Sequence, residues 1–488
     1  MELHHFDRRT FIKGSVSTVA LTSLPGGIAH AQTVRPRLEW QDFRRTASYA
    51  QFVNAVRTMR ANTNANDRGS WNFWVNAHAN NCPHSIPYFL AWHRGFIFYF
   101  EQQLRIISGN STLMLPYWDY YRFPRIPTEF TTPSTNNPLF VNRVNTNVFS
   151  ALSLAPFSLT NFQRGTPNAF ETSLEPRPHG QVHNIIGGSM ASLNSPADPI
   201  FWLHHGQIDR LLHAWVLSGG KRYPPSGDAY WAGTFTYAGN LTIARNRVYN
   251  PANLGYTYSD TTLPRSLPAQ AESGGGLMRA SMQGKRSPLA MRVAMDDGPP
   301  GRPPAARFPF SEPRPTGEKR RSIGGARNIP LGESGISAQV PVAEADSQVL
   351  QSMMGSTQAS PFGRTSVDSQ GYTSAQVVLD NVQVTQGGEF GGYFYDVYLN
   401  LPQNRDPSST QERYLVGSFG PFEVSSARHH GRSARLVFPA TQLLQNFTES
   451  QIKQLTVSFV RVNGDAAPKG VAVTIGEMRI ELSTDNVE

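Results

Sequence analysis

The sequence predicts an α+β multidomain protein in which a mainly helical part precedes a β-sandwich. Apolar residues recur at helical spacing over residues 45–62, and residues 86–105 form a second run that is typical of a helix. Residues 372–485 instead contain short β-branched and aromatic runs between turn signals, the spacing of a β-sandwich. A stretch rich in Pro, Gly and Arg separates the two patterns and predicts a linker.

These patterns divide the chain into a helical domain (residues 32–262), a linker or arm (263–370) and a sandwich domain (371–488). With 488 residues, 39% of them hydrophobic and 16% charged, the chain is globular and long enough for a sizeable core. The net charge of +9 is concentrated in residues 265–327, which hold twelve Lys and Arg against five Asp and Glu. An irregular basic segment does not favour a nucleic-acid-binding face, so no nucleic-acid partner is predicted.

Residues 1–31 predict an export signal. Residues 7–13 form a twin-arginine pattern, an apolar stretch follows over residues 16–24, and Ala29-His30-Ala31 is typical of a cleavage site. We therefore expect export through the twin-arginine pathway and a periplasmic or secreted protein. No other apolar run is long enough to span a bilayer, so no membrane span is expected after signal removal.

Residues 178–210 predict a metal site. His179 and His183 are four residues apart, which places both imidazoles on one face of a helix. His205 follows in an apolar run that is typical of a second helix. Its neighbour His204 points about 100° away from it, and Asp209 shares the face of His205 and is placed to orient its ring. These three imidazoles, from His179, His183 and His205, are enough to hold a late first-row metal ion.

A second group of three histidines lies about a hundred residues earlier. His93 falls within the predicted helix, whereas His84 is nine residues before it and would point the opposite way on the same helix. We therefore expect His84, and His78 before it, to approach from a loop. Two all-imidazole sites favour copper or zinc over magnesium or calcium, and the residues alone leave that choice open.

Four stretches together resemble a known family. They are Cys82-Pro83-His84, residues 87–94 with Trp92-His93-Arg94, His179-x-x-x-His183, and residues 198–210 with Asp198-Pro199, His204-His205 and Asp209-Arg210. They look like the two copper-binding motifs of the tyrosinase, catechol oxidase and haemocyanin family. Tyr256-x-Tyr258 resembles the motif that closes its catalytic domain, and the β-rich tail resembles the C-terminal shielding domain of plant-type polyphenol oxidases. The resemblance covers residues 40–260 and, more weakly, 375–485.

The resemblance implies a four-helix bundle that holds a type-3 centre of two copper ions, with dioxygen as co-substrate. His78, His84 and His93 would bind the first copper, and His179, His183 and His205 the second. The implied activity is the oxidation of small phenolic substrates, o-diphenols to o-quinones, together with hydroxylation of monophenols. A haemocyanin-like dioxygen carrier, a zinc hydrolase and a non-catalytic binding module are the alternatives, and a homo-oligomer is left open.

The resemblance also suggests roles for single residues. Cys82 has the spacing for a thioether to His84. Glu175, with Asn184 as neighbouring amide, would polarise the water that deprotonates a phenol. Gly180, where efficient hydroxylases often have Asn, would shape the substrate gate with Asn194 and Phe201. The C-terminal domain would cover the site and confer latency, and the aromatic residues between Phe390 and Tyr398 are candidates for the covering side chain.

Overall fold

The computed structural model describes residues 33–166, 168–268, 302–355, 371–402, 411–429 and 433–485. The predicted signal peptide and residues 269–301 and 356–370 of the predicted linker lie outside these described residues. The chain divides into two compact units. We call them the helical unit (Met1–Asn142, Leu154–Glu175 and Leu193–Pro268) and the sandwich unit (Arg143–Ser153, Pro176–Ser192 and Ala269–Glu488).

Helices make up most of the regular structure of the helical unit. They are α1 (Trp40–Phe43), α2 (Ser48–Ala61), α3 (Trp71–Asn81), α4 (Phe89–Ser108), α5 (Thr128–Thr131), α6 (Ala155–Ser158), α7 (Phe170–Leu174) and α9 (Ile200–Leu217). The helix α8 (Gln181–Ile186) belongs to the sandwich unit. Helix α4 ends at Ser108, and the φ of +66° at the next residue, Gly109, is the left-handed conformation that glycine adopts at helix C-termini.

Aromatic side chains pack the longer helices of this unit together. The ring of Phe100 on α4 stacks on the indole of Trp202 on α9, with centroids 3.4 Å apart. Trp71 on α3 contacts both rings edge-on, at 5.5 and 6.1 Å. All three side chains are buried, which gives the helical unit a dense aromatic core beneath its histidines.

Two small sheets complete the helical unit. Strands β2 (Thr234–Ala238) and β3 (Leu241–Ala244) form an antiparallel hairpin. Strand β1 (Arg35–Arg37) pairs in parallel with β4 (Tyr256–Tyr258), which ties the beginning of the described chain to the end of the unit.

The sandwich unit contains two sheets. One has the order β13 (Ala434–Pro439), β10 (Ser374–Val384), β15 (Val473–Ser483), β8 (Arg320–Leu331) and β6 (Phe310–Ser311), with β7 (Arg314–Gly317) also paired to β8. The other has the order β12 (Leu415–Phe419), β11 (Tyr393–Leu399), β14 (Gln454–Asn463), β9 (Ile336–Pro341) and β5 (Ala305–Ala306). Helices α10 (Glu344–Gly355), α11 (Pro421–His429), α12 (Thr441–Leu444) and α13 (Glu449–Lys453) connect the strands.

One continuous apolar core joins the two sheets. Val377 and Ile480 of the first sheet and Val457 and Phe459 of the second all belong to it and are fully buried. Strands β10, β15, β11 and β14 lie in the interior of their sheets and contribute about half of the buried side chains of this core. The predicted fold class, a helical domain followed by a β-sandwich domain, is therefore confirmed.

The predicted linker is too long. Residues 302–355 form strands β5 to β9 and helix α10 of the sandwich unit. Strand β8 pairs with β15 through a register that aligns Ile329 with Ile475. A Cβ atom on Gly325 would lie only 1.9 Å from the carbonyl oxygen of Met478, so this position needs glycine. The Gly and Arg residues that suggested an arm therefore belong to strand β8. This strand is stabilised by pairing with β15, which lies far along the chain.

Among the described residues, every helix is too short or too polar to cross a membrane.

Candidate metal centre

His78 lies on helix α3, so the prediction that it approaches from a loop was wrong. Trp71, Trp74, Ala77 and His78 are the buried residues of this helix, and their spacing is that of one helical face. The run from Trp71 to Asn81 contains neither Gly nor Pro, which leaves the helix intact up to the loop with His84. The imidazole of His78 therefore projects from a rigid helix into the aromatic core.

His84 lies in the loop between α3 and α4, and His93 lies on α4. The centroids of the His78, His84 and His93 rings are 5.2–5.5 Å apart in all three pairs. The Nε2 atoms of His78 and His93 face each other at 3.3 Å. All three side chains are at least 98% buried. The helical unit thus brings the first predicted triad together.

The Nδ1 atoms of these rings are bound to protein oxygens. His78 Nδ1 donates to the Leu193 carbonyl and His93 Nδ1 to the Phe89 carbonyl, each at 2.8 Å. His84 Nδ1 lies 3.3 Å from the carboxylate oxygen Oε1 of Glu175. A histidine that donates from Nδ1 presents Nε2 as its acceptor nitrogen, which is the usual arrangement around a bound metal ion.

The protonation state of His93 suits a metal ligand. Burial lowers its pKa well below the ordinary value, and the neighbouring imidazoles of His84 and His78 lower it further. The ring is therefore neutral at physiological pH, and a neutral imidazole is the form that coordinates metals.

Cys82 lies beside this triad. Its sulfur and ligand nitrogens of His78 and His84 are all within 4.8 Å of one another. Burial opposes ionisation of the thiol, but His78 and His84 outweigh it and lower the pKa of Cys82 to about 5. The thiolate, which is the reactive form of cysteine, is thus held next to the ring of His84.

The structure places Glu175 behind His84. Besides the contact to His84, its Oε1 accepts a hydrogen bond from the Ser85 backbone N–H at 2.6 Å, and its Oε2 pairs with the guanidinium of Arg164. Burial alone would raise the pKa of Glu175, but Arg164 and His84 lower it. Both oxygens are engaged, which suits a residue that orients His84. Arg164 was missed because an isolated Arg eleven residues before Glu175 belongs to no motif.

His205 lies on helix α9 and joins the same cluster. Its imidazole stacks on that of His93, with centroids 4.5 Å apart and an interplanar angle of 17°. Phe201, one turn earlier, packs 4.2 Å from the ring of His205 and edge-on at 5.1 Å from that of His78. The ring of His204 lies 5.3 Å from that of His205 and 5.7 Å from that of Tyr120.

The structure contradicts the prediction that Asp209 orients His205. The carboxylate of Asp209 accepts hydrogen bonds from Arg94 Nε at 2.6 Å and from the hydroxyls of Tyr256 and Tyr258 at 2.6 and 2.5 Å. Burial would raise its pKa, but Arg94 keeps the pKa lowered. Asp209 shares a helix face with His205, yet a buried arginine on α4 attracts its charge more strongly than a neutral ring. It therefore fastens α9 to α4 and β4.

His179 and His183 lie in the sandwich unit. His183 is on α8, and His179 is in the irregular turn Glu175–Gly180 before that helix. Their ring centroids are 4.6 Å apart. The Nδ1 atom of His183 donates to the Met190 carbonyl at 2.8 Å, the same arrangement as in the first triad.

A side chain that the sequence did not reveal covers these two rings. Phe422, at the start of α11, stacks on His183 with centroids 4.1 Å apart and lies edge-on to His179 at 5.4 Å. It is 98% buried. Phe390, one of the predicted candidates, is 68% exposed, while Tyr393 and Tyr395 lie in the sandwich core. Nothing local in the sequence distinguishes Phe422 from other core phenylalanines.

The remaining predicted residues lie near these histidines in sequence but differ in their surroundings. The side chain of Asn184 contacts α11, where its Oδ1 accepts from the Phe422 N–H at 2.9 Å and its Nδ2 donates to Glu423 at 2.7 Å. Gly180 is buried directly before α8. Asn194 is exposed, and its carbonyl accepts from the Ala197 N–H at 2.9 Å.

The first triad fits a copper ion. Its donors are imidazoles, two Nε2 atoms already face each other, and each Nδ1 is tied to an oxygen. Imidazole donors suit copper, and such oxygens fix the direction of each ring.

Comparison with known proteins agrees with this chemistry. The model of the common central domain of tyrosinase matches residues 46–151 and 132–217. Tyrosinase HcTyr1 of Hahella sp. is 30% identical over 271 residues, which cover 45% of this chain and 57% of that protein. Residues 46–217 match the tyrosinase family. This is a family of copper oxidoreductases that bind two copper ions.

Other comparisons show how far these similarities extend along the chain. It spans little more than half the length of the Hahella protein. Hemocyanin 1 of Megathura crenulata is 30% identical over 31% of this chain and 5% of its own length. The latent apple tyrosinase has the same fold over 95% of this chain and 99% of its own, with 19% identity and a TM-score of 0.51. Residues 323–482 match a domain family of unknown function, DUF7868.

Proposed function

We propose that this protein is a type-3 copper phenol oxidase that converts o-diphenols to o-quinones with dioxygen. The observation that carries the proposal is the buried triad of His78, His84 and His93, in which each Nδ1 is bound to an oxygen and Nε2 atoms meet. These three residues would hold the first copper ion. His179, His183 and His205 would hold the second, as the family motifs imply.

The two copper ions would supply the path for electrons from the diphenol to dioxygen. Two o-diphenols each give up two electrons and two protons, and one dioxygen takes up all four of each to become two water molecules. The protein holds the imidazoles in place through the Leu193 and Phe89 carbonyls and through Glu175. Phe201, packed against the rings of His205 and His78, keeps this environment apolar.

Hydroxylation of monophenols is the second part of the proposal. It would need Glu175 and Asn184 to polarise a water molecule, as the family pattern suggests. The oxygens of Glu175 already bind Ser85, His84 and Arg164, and the amide of Asn184 already binds α11. We therefore expect diphenol oxidation to be the faster reaction.

Latency is the third part of the proposal. Phe422 covers one face of His183, so a phenol that approaches these rings must first displace it. This contact supports a role for the sandwich unit as a cover of the second copper site. The twin-arginine pattern of residues 7–13 supports export to the periplasm or beyond.

Oxygen uptake with catechol and with a matched monophenol tests the proposal on the copper-loaded full chain. We expect two copper ions per chain, uptake with catechol, and slower uptake with the monophenol. His205→Ala should abolish uptake, whereas His213→Ala, which removes another buried histidine from the same helix, should not. Copper binding without catechol-dependent uptake would identify a dioxygen carrier, the function named for the Megathura relative. Preference for zinc would point to a hydrolase instead.

A further inference from the structure

The segment that carries His179 and His183 is built into the sandwich unit. Residues 176–192 group with this unit, although the chain enters and leaves the segment from the helical unit. The contacts that hold it flank the two histidines on both sides. They come from strand β11, strand β12 and helix α11.

Arg177, two residues before His179, makes the first anchor. Its guanidinium pairs with the carboxylate of Asp396 and donates two hydrogen bonds to Ser418 Oγ, at 3.0 and 3.1 Å. Ser418 in turn donates to Asp396 Oδ1 at 2.6 Å. The side chains of Arg177 and Asp396 are 9% and 1% exposed, so this is a buried ion pair.

The two side chains that bind Arg177 lie on neighbouring strands of a rigid sheet. Asp396 on β11 and Ser418 on β12 are direct partners in the antiparallel register of the two strands. Strand β11 is buried along its whole length and pairs with β14 on its other side. The position of Arg177 is therefore set by the sheet itself and not by a loop.

Asn184, one residue after His183, makes the second anchor. Its backbone carbonyl accepts from the Gly392 N–H at 2.7 Å, and its side-chain amide binds Phe422 and Glu423 of α11. A Cβ atom on Gly420 would lie 2.6 Å from the amide of Asn184, so only glycine permits this approach. The backbone carbonyl and the side-chain amide of Asn184 thus both bind other parts of the sandwich unit.

We propose that Arg177, Asp396 and Asn184 are positioning residues through which the sandwich unit fixes His179 and His183 for metal binding. This inference rests on the proposed function, in which these two histidines bind the second copper. The sandwich unit is then a scaffold for half of the copper centre as well as its cover. Folding of this unit and copper binding at the second site are coupled, because the same contacts serve both.

Copper titration of the metal-free full-length protein tests the inference. Asp396→Asn keeps the shape of the side chain and removes the charge that Arg177 needs. Glu481→Gln is the matched control, because it removes another buried carboxylate of this unit, paired with Arg479 and Arg435. We expect D396N to bind the first copper as the wild type does and to bind the second 10–100 times more weakly, the usual effect of losing such a support. E481Q should bind both copper ions as the wild type does, even if its melting temperature falls as much as that of D396N.

The inference would be overturned if D396N bound the second copper as tightly as the wild type does. It would also be overturned if E481Q lost as much affinity for the second copper as D396N does. If D396N does not fold, Ser418→Ala serves instead, because it removes two hydrogen bonds from Arg177 and leaves no unpaired charge. The affinity of this variant for the second copper should fall by a smaller factor than in D396N. Unchanged affinity would count against the scaffold role. A wild-type protein that binds fewer than two copper ions would instead refute the proposed function, so the two failures are distinguishable.

Discussion

The phenyl ring of Phe422 lies parallel to the imidazole of His183, with centroids 4.1 Å apart and an interplanar angle of 18°. This contact comes from within the sandwich unit, between helix α11 and the segment of residues 176–192. A side chain from the far end of the sequence therefore occupies the face of a proposed copper ligand.

Replacing Phe422 should increase activity. Phe422→Ala removes the stacked ring, and a phenol no longer has to displace a contact worth about 0.5–1.5 kcal/mol beyond its buried area. We expect kcat/KM for catechol to rise several-fold, measured by oxygen uptake on protein with a full complement of copper. Phe390→Ala is the control, because that exposed ring belongs to the same unit and should leave kcat/KM unchanged. Equal or lower activity in F422A would show that Phe422 does not act as a cover.

Copper loading should join Cys82 to His84. The thiol is buried, its pKa is lowered to about 5 by His78 and His84 against the effect of burial, and it lies beside the ring. A thioether removes two hydrogen atoms, so the intact mass should fall by about 2 Da after exposure to copper and dioxygen. Cys82→Ser should show no such change. A wild-type chain that still reacts with a thiol reagent after loading and unfolding would exclude the bond.

Replacing Glu175 should weaken the first copper site. In Glu175→Ala, His84 Nδ1 and the Ser85 N–H lose their common acceptor. We expect the affinity for the first copper to fall roughly 10–100-fold, the range for loss of a group that orients a ligand. Glu129→Ala, which removes a carboxylate bound to Arg44 in the same unit, is the control for copper titration. Unchanged affinity in E175A would favour the water-polarising role instead.

The stability of the protein should depend on pH through Glu171. Burial raises the pKa of this carboxyl from 4.5 to about 7, against the opposing effect of Arg164. The folded protein therefore holds the proton to higher pH than the unfolded chain does. The contribution of Glu171 to the free energy of unfolding is complete below pH 4.5 and is lost as pH rises through 7.

Glu171→Gln should abolish this dependence. We expect the variant to match the wild type near pH 4.5 and to exceed its free energy of unfolding above pH 7 by an amount on the order of 3 kcal/mol. Urea unfolding between pH 4.5 and 8 measures the difference. Glu318→Gln, at an exposed site, should follow the wild type at every pH. A constant difference between E171Q and the wild type would show that Glu171 does not titrate in this range.

The sequence alone determined the fold class and the histidines of the proposed centre. Helical and strand periodicities identify elements because they reflect which residues one element buries, and the histidine motifs are local patterns. Local reasoning failed where a partner lies far along the chain. The helical spacing predicted that Asp209 orients His205, but the carboxylate of Asp209 is bound by Arg94 and two tyrosines.

Only the tertiary structure decided which unit holds each half of the proposed copper centre. Residues 176–192 lie within the predicted helical domain, yet Arg177 pairs with Asp396 more than two hundred residues later, and Asn184 binds α11. The composition of residues 302–355 predicted an arm, but strand β8 of this segment pairs with β15. A buried charge or an unpaired strand edge requires a partner, but its chemistry does not specify where in the sequence that partner lies.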